Sequence, residues 1–140
     1  MPYRKATIRR YRSEDEGLLF SLAREAFGGR QDWSDEATLK GLETETVFVA
    51  ELAGDSAGYV ALHREGETVR IEQLLVSPLH EHEGIGRQLV EYAEGYAISE
   101  GAARLQIVVE EDNRRAREFY GRRNFTRAAT DVLELNLPQV

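Results

Sequence analysis

Cysteine is missing from all 140 residues, and proline and tryptophan are scarce, at three and one. Without a thiol there is no disulfide framework, no thiolate nucleophile and no thiolate metal site, so any chemistry rests on oxygen and nitrogen groups. The same lack fits a reducing compartment. No apolar run approaches the roughly 20 residues of a membrane-spanning helix, and Met1-Pro2-Tyr3-Arg4-Lys5 leads into charged residues without the apolar segment of a secretory signal. The expectation is a soluble cytoplasmic protein with no membrane partner. Basic residues are the minority: 18 Lys and Arg against 25 Asp and Glu give a net charge of −7. That balance argues against a general nucleic-acid binder, and solubility alone accounts for it. The length fits one domain over residues 1–140 with one core, and no repeat, linker or low-complexity segment interrupts it.

What is present is organised around the stretch from Val69 to Tyr120, which reads as strand, glycine turn, helix, strand and short helix. Ahead of it, Ala6 to Tyr11 is a short β-prone run, and Ser13-Glu14-Asp15-Glu16 has the S-x-x-E spacing of a capping box that opens a helix. Leu19, Leu22, Ala23, Ala26 and Phe27 follow at three- and four-residue steps until Gly28-Gly29 stops the helix. Ser34 or Asp35 caps a second short helix reaching Leu42, and Trp33 just before it suits either the core or the wall of an acceptor site. The runs 47–50 and 58–62, joined through Gly54-Asp55-Ser56, read as a hairpin, and Glu65-Gly66-Glu67 turns the chain into a strand from Val69 to Val76 that Pro78 ends.

The turn Glu81-His82-Glu83-Gly84-Ile85-Gly86-Arg87 lies where that strand ends and a helix begins. Such a turn presents unpaired backbone N–H groups and the positive end of a helix dipole, which suits the phosphates of an anionic cofactor. Ile85, Leu89, Ala93 and Ala97 at four-residue steps, with Val90 and Tyr96 beside them, form the buried stripe of the helix that Gly101 closes. A strand over Leu105 to Val109 follows, and strand, helix and strand in this order make a right-handed crossover between parallel strands. Asn113 caps a helix whose buried face is Ala116, Phe119 and Tyr120, and Val132 to Leu137 is the last strand, with Leu133, Leu135 and Leu137 on one face. The fold class is α/β with an α+β mixed sheet, a parallel strand pair within it and flanking helices. Competing readings fail on spacing. A dinucleotide fold needs a third glycine where Leu89 stands, and a P-loop needs Gly-Lys-Ser/Thr. His80-Glu81-His82-Glu83 is a tempting metal motif, but consecutive loop residues rarely converge on one ion, so no metal is expected.

Taken together, Leu74-Leu75-Val76-Ser77-Pro78 leading to Gly84-Ile85-Gly86-Arg87, then Asn113-x-x-Ala116-x-x-Phe119-Tyr120 and Phe125, resemble the GNAT superfamily of acetyl-CoA-dependent N-acetyltransferases. The resemblance covers almost the whole chain and implies the GNAT-like acyltransferase fold, with a splayed parallel strand pair at the centre of its mixed sheet. It implies direct transfer of acetyl from acetyl-CoA to a primary amine of a small-molecule or peptide acceptor, through a ternary complex. The cosubstrate pyrophosphate would rest on the backbone amides of His82, Glu83, Gly84, Ile85, Gly86 and Arg87, and the pantetheine arm would pair with the backbone of Leu74 and Val76. Asn113 matches the family position that meets the pantetheine region or simply caps its helix. Tyr120 matches the tyrosine that protonates the leaving thiolate as general acid. Glu72, two residues before Leu74 on the same strand face, is the candidate base, or else a solvated carboxylate ion-paired with Arg70. Arg114, Arg115 and Arg117 are offered to the cosubstrate phosphates, and the resemblance suggests a homodimer. One departure stands out: the family favours Arg or Gln three residues before the first glycine of the turn, with further basic residues around it, and here Glu81, His82 and Glu83 stand instead. That acidic turn motivates an alternative, a non-catalytic acyl-CoA-binding sensor or interaction module of the same fold.

Overall fold

The computed structural model describes residues 5–29 and 34–139, and Trp33 lies outside them. The elements in chain order are β1 (Thr7–Arg10), a 3-10 turn (Ser13–Asp15), α1 (Glu16–Phe27), α2 (Asp35–Thr44), β2 (Thr46–Leu52), β3 (Asp55–Glu65), β4 (Thr68–Val76), a 3-10 turn (Pro78–His80), α3 (Ile85–Ser99), β5 (Arg104–Val108), α4 (Arg114–Gly121), β6 (Thr126–Ala129) and β7 (Val132–Asn136). The strands form one mixed sheet in the order β1-β2-β3-β4-β5-β7-β6. Its parallel pair is β4 with β5, as the crossover through α3 requires, while β5–β7, β6–β7 and β1–β2 are antiparallel. Among the described residues no helix is long and apolar enough to cross a membrane.

The chain divides into two compact units, Met1–Ala61 with Gln73–Tyr92, and Leu62–Glu72 with Ala93–Val140. In the first, Leu19 of α1, Leu42 of α2, Val47 and Val49 of β2, and Tyr59 and Ala61 of β3 form a buried cluster, with Tyr11, Leu22 and Leu75 packed against it. In the second, cross-strand pairs Leu105↔Leu135 and Ile107↔Leu133 carry the apolar face of the sheet. There Tyr120 packs edge-on against Phe119 and Phe125, with centroids 5.0 and 5.3 Å away.

Three local expectations change. The hairpin turns on Ala53 and Gly54, both at positive φ, so β3 starts earlier than expected, at Asp55. β6 was not foreseen as a separate strand: Thr126–Ala129 is exposed throughout and carries no alternating apolar signal. Helix α1 is not opened by a Ser13–Glu16 box. The chain enters it through the 3-10 turn, which Asp15 fastens by accepting the Arg12 N–H at 2.7 Å and both terminal nitrogens of Arg9 at 2.8 Å. Arg9 also bonds Glu51. A two-pronged guanidinium bond to a carboxylate that is only 6% exposed outcompetes a serine cap.

Gly58 sets how closely β3 can approach the end of β4. A Cβ there would lie 2.4 Å from the Leu75 carbonyl oxygen and 3.1 Å from the Val76 Cα. The Ser77 N–H closes the same corner by donating to the Ala57 carbonyl at 2.8 Å.

Two outcomes follow from these contacts. The Arg9 hydrogen bond, helped by the Arg12 N–H, holds the Asp15 carboxyl below its ordinary value. A depressed carboxylate contributes stability that is complete above about pH 4 and is lost as pH falls through the folded-state value. Asp15→Asn should cost on the order of 3 kcal/mol at neutral pH, and the gap to wild type should close in acid; urea unfolding across pH 2–7 reads both. Gly58→Ala should cost about 1–3 kcal/mol by overpacking, measured by the same unfolding at pH 7.

Candidate functional site

Strand β4 outruns its parallel partner. Their register runs from Thr68↔Arg104 to Ile71↔Ile107, and β4 continues to Val76. The residues inside the register, Val69 and Ile71, are buried, whereas Gln73, Leu74, Leu75 and Val76 are only half-buried. Val108, at the end of β5, is 61% exposed. Side chains built for a core thus stand partly open, and the backbone of Leu74 and Val76 lies beyond the β5 register. A strand end left beyond its partner's register offers main-chain N–H and C=O groups to an extended ligand rich in amides.

The chain leaves β4 through Ser77, whose Oγ accepts the Leu79 N–H at 3.3 Å, and makes the 3-10 turn Pro78–His80. His82 and Gly84 both take positive φ, 66° and 80°, and α3 begins at Ile85. Left-handed backbone at an ordinary side chain is uncommon, and here it brings the amides of the turn around to the head of the helix. The Gly84 carbonyl accepts the Gln88 N–H at 3.1 Å as the first bond of the helix. The first-turn N–H groups, those of Ile85 and Gly86 among them, have no carbonyl to bond within the helix and carry its positive pole.

Gln88 holds this turn in place, a role that sequence reading did not assign. Buried in α3, it donates from Nε2 to the Gly84 carbonyl at 3.3 Å and accepts the Ala6 N–H at 2.8 Å through Oε1. Its signal was a polar residue inside the apolar stripe of Ile85, Leu89 and Ala93. The charges around the turn are partly committed. His80 Nδ1 lies 3.3 Å from Glu83 Oε2, and Arg87 reaches along the helix to Glu91 at 3.4 Å. Glu81, His82 and Arg87 are exposed.

The other candidates, Glu72, Asn113 and Tyr120, belong to the second unit. Glu72 accepts a hydrogen bond from Arg70 Nε at 2.8 Å, and Arg70 also lies 3.5 Å from Glu65. The ion pair with Arg70 that the sequence allowed is therefore formed. Asn113 caps α4, its Oδ1 accepting the Ala116 N–H at 3.2 Å. Tyr120 is 4% exposed, and burial pushes its phenol well above the ordinary value. Among the described residues its hydroxyl has no hydrogen-bond acceptor. Arg117 is not offered to phosphates: it donates to the carbonyls of Val109, Glu110 and Thr130 at 2.7, 3.1 and 2.9 Å, tying α4 to the neighbouring loops. Arg114 and Arg115 remain exposed. Among the described residues no three His, Asp or Glu side chains converge as metal ligands.

Comparison with known proteins bears on this arrangement. The family model described as the acetyltransferase (GNAT) family matches residues 14–125. An uncharacterized N-acetyltransferase of Archaeoglobus fulgidus is 32% identical over 92 residues, 61% of this chain and 63% of that protein. A streptothricin acetyltransferase of Streptomyces lavendulae is 30% identical over 105 residues, 74% of this chain and 56% of that one. The match thus spans less than two thirds of either relative. In fold, the PaiA N-acetyltransferase of Thermoplasma acidophilum, solved in complex with coenzyme A, superimposes with a TM-score of 0.78 at 19% identity, over 94% of this chain and 99% of that one. A strand that outruns its parallel partner, a left-handed turn at the head of α3 and a family match over most of the chain agree, and the chain belongs to the acetyltransferase (GNAT) family.

Proposed function

We propose that this protein transfers an acetyl group from acetyl-CoA directly to a primary amine, both substrates being bound at once and no acyl-enzyme forming. The observation that carries the reading is the β4–α3 junction. There a strand end lies beyond its partner's register, and a left-handed turn delivers the chain to a helix N-terminus. A pantetheine arm pairs with the first and a pyrophosphate rests on the second. Amide donors suit this protein, whose net charge of −7 offers an anion little from side chains.

The reaction sets two proton problems. The amine must lose its proton to attack the thioester, and the coenzyme A thiolate must gain one to leave. As nitrogen adds to the carbonyl carbon, the oxygen takes up charge that N–H groups at the end of β4 stabilise. Collapse of that adduct breaks the carbon–sulfur bond and sends the electron pair to sulfur. Tyr120 is the proposed donor to that sulfur, since its burial keeps the phenol protonated well past neutral pH. Glu72 is the proposed acceptor of the amine proton. Its partner Arg70 is shared with Glu65. Asn113 fixes the start of α4, the helix that carries Tyr120. Within the turn, Glu83 lies beside His80, its Oε2 3.3 Å from His80 Nδ1. The cytoplasm, which supplies acetyl-CoA, is the proposed location. A homodimer is the proposed assembly.

Two variants test separate parts of this scheme. Tyr120→Phe should lower kcat roughly a hundredfold while acetyl-CoA affinity stays within about twofold by calorimetry, and an unchanged kcat removes Tyr120 as the acid. Gly86→Asp places bulk and a negative charge in the first turn of α3, so acetyl-CoA binding should vanish from the titration while thermal unfolding stays cooperative. Tight binding by that variant would move the pyrophosphate elsewhere.

A further inference from the structure

Gln73 stands one residue before Leu74 in β4, and its side-chain oxygen lies 2.6 Å from the Tyr59 hydroxyl. Tyr59 is wholly buried in the cluster of Leu19, Leu42, Val47, Val49 and Ala61, so the environment of its hydroxyl is otherwise apolar. The distance identifies the partner. It is usual for O–H···O and short for N–H···O, so the phenol donates and the amide turns its oxygen, not its nitrogen, towards the core. The two N–H donors of the amide then point away from Tyr59. Among the described residues they have no acceptor, although Gln73 is half-buried. An amide oriented in this way holds both donors on its open side beside a strand end, where a substrate oxygen can accept from them.

We propose that Gln73 is a specificity-determining residue of the acceptor site and that its amide nitrogen recognises the carbonyl oxygen on the carbon next to the reacting amine. The substrate class is then an α-amino amide: a peptide N-terminus or an amino-acid amide, in preference to a simple alkyl amine. This rests on the transfer reading above, in which the backbone of Leu74 and Val76 holds the acyl donor. Gln73 is one residue of strand, about 3.3 Å, from Leu74, and its side chain leaves the opposite sheet face from Glu72 and Leu74. In this reading the amine therefore presents its departing proton to the Glu72 face and its carbonyl substituent to the Gln73 face. The net charge of −7 selects a neutral carbonyl over a free carboxylate. Tyr59 is a positioning residue: it touches no substrate and orients the amide.

The test measures kcat/KM of the full chain for L-alaninamide and for isopropylamine, in which a methyl group replaces the carboxamide. Comparing the ratio of the two between variants cancels their different basicity. Gln73→Leu should lower the alaninamide-to-isopropylamine ratio roughly tenfold, with the acetyl-CoA Kd unchanged by calorimetry. Tyr59→Phe keeps the ring in the core and should lower the same ratio several-fold, through the KM for alaninamide and not through kcat. An unchanged ratio in Gln73→Leu overturns the assignment, as does wild-type turnover that favours isopropylamine or reaches neither amine. Failure of the wild type to bind acetyl-CoA is a different result, because it removes the transfer reading itself and the assignment with it.

Discussion

Parallel pairing of β4 with β5 is the constraint from which the rest of the arrangement follows. Parallel neighbours cannot be joined by a hairpin, so the chain must leave β4, travel back along α3 and enter β5 in the same direction. The carboxyl ends of both strands therefore lie towards one edge of the sheet, and the helix that begins the return must begin near that edge. Once the register stops at Ile71↔Ile107 while β4 runs on to Val76, main-chain groups fall outside it just before the turn to α3. Gly58 keeps β3 tight against this segment, and Gln88 secures the turn that follows it. Neither residue carries chemistry of its own; both hold backbone in place for groups that do.

In the proposed scheme, binding the anion through backbone avoids an electrostatic conflict. An acidic protein that binds a polyphosphate through lysines and arginines would have to gather scarce cations at one place. Several arginines of this chain have other work: Arg9 fastens Asp15, Arg70 bridges Glu72 and Glu65, and Arg117 ties three carbonyls. Amide dipoles cost no side-chain entropy and are already fixed in the folded chain, so the positive pole of α3 acts whatever the net charge.

The sequence made the frame legible because its strongest signals are periodic. The stripe of Ile85, Leu89, Ala93 and Ala97, the strand from Val69 to Val76 and the Asn113 cap all reappear in the structure. Turns and polar partners were harder to read. Ala53 at positive φ is not a residue that announces a turn, and exposed β6 has no apolar pattern to detect. Asp15 beat Ser13 to the start of α1 through Arg9, six residues earlier, and no local rule sees that pairing. Arg117 looked like one more cation in a basic run, because the carbonyls it binds are brought to it only by the fold. Gln88 and Gln73 escaped for the same reason, since their partners lie 82 and 14 residues away.

The two buried tyrosines show how one physical effect yields two roles. Burial raises both phenols well above their ordinary value, so each keeps its proton through neutral pH. Tyr59 has committed that proton to Gln73, and its hydroxyl serves to orient an amide. Tyr120, packed between Phe119 and Phe125, has no described acceptor for its own. A protonated donor with no internal partner, on a helix whose start is capped by Asn113, remains available to a charge that arises only during reaction. Electrostatics alone would not tell the two residues apart. The hydrogen bond that one makes and the other lacks is what separates the two proposed roles, orientation of the acceptor and protonation of the leaving thiolate.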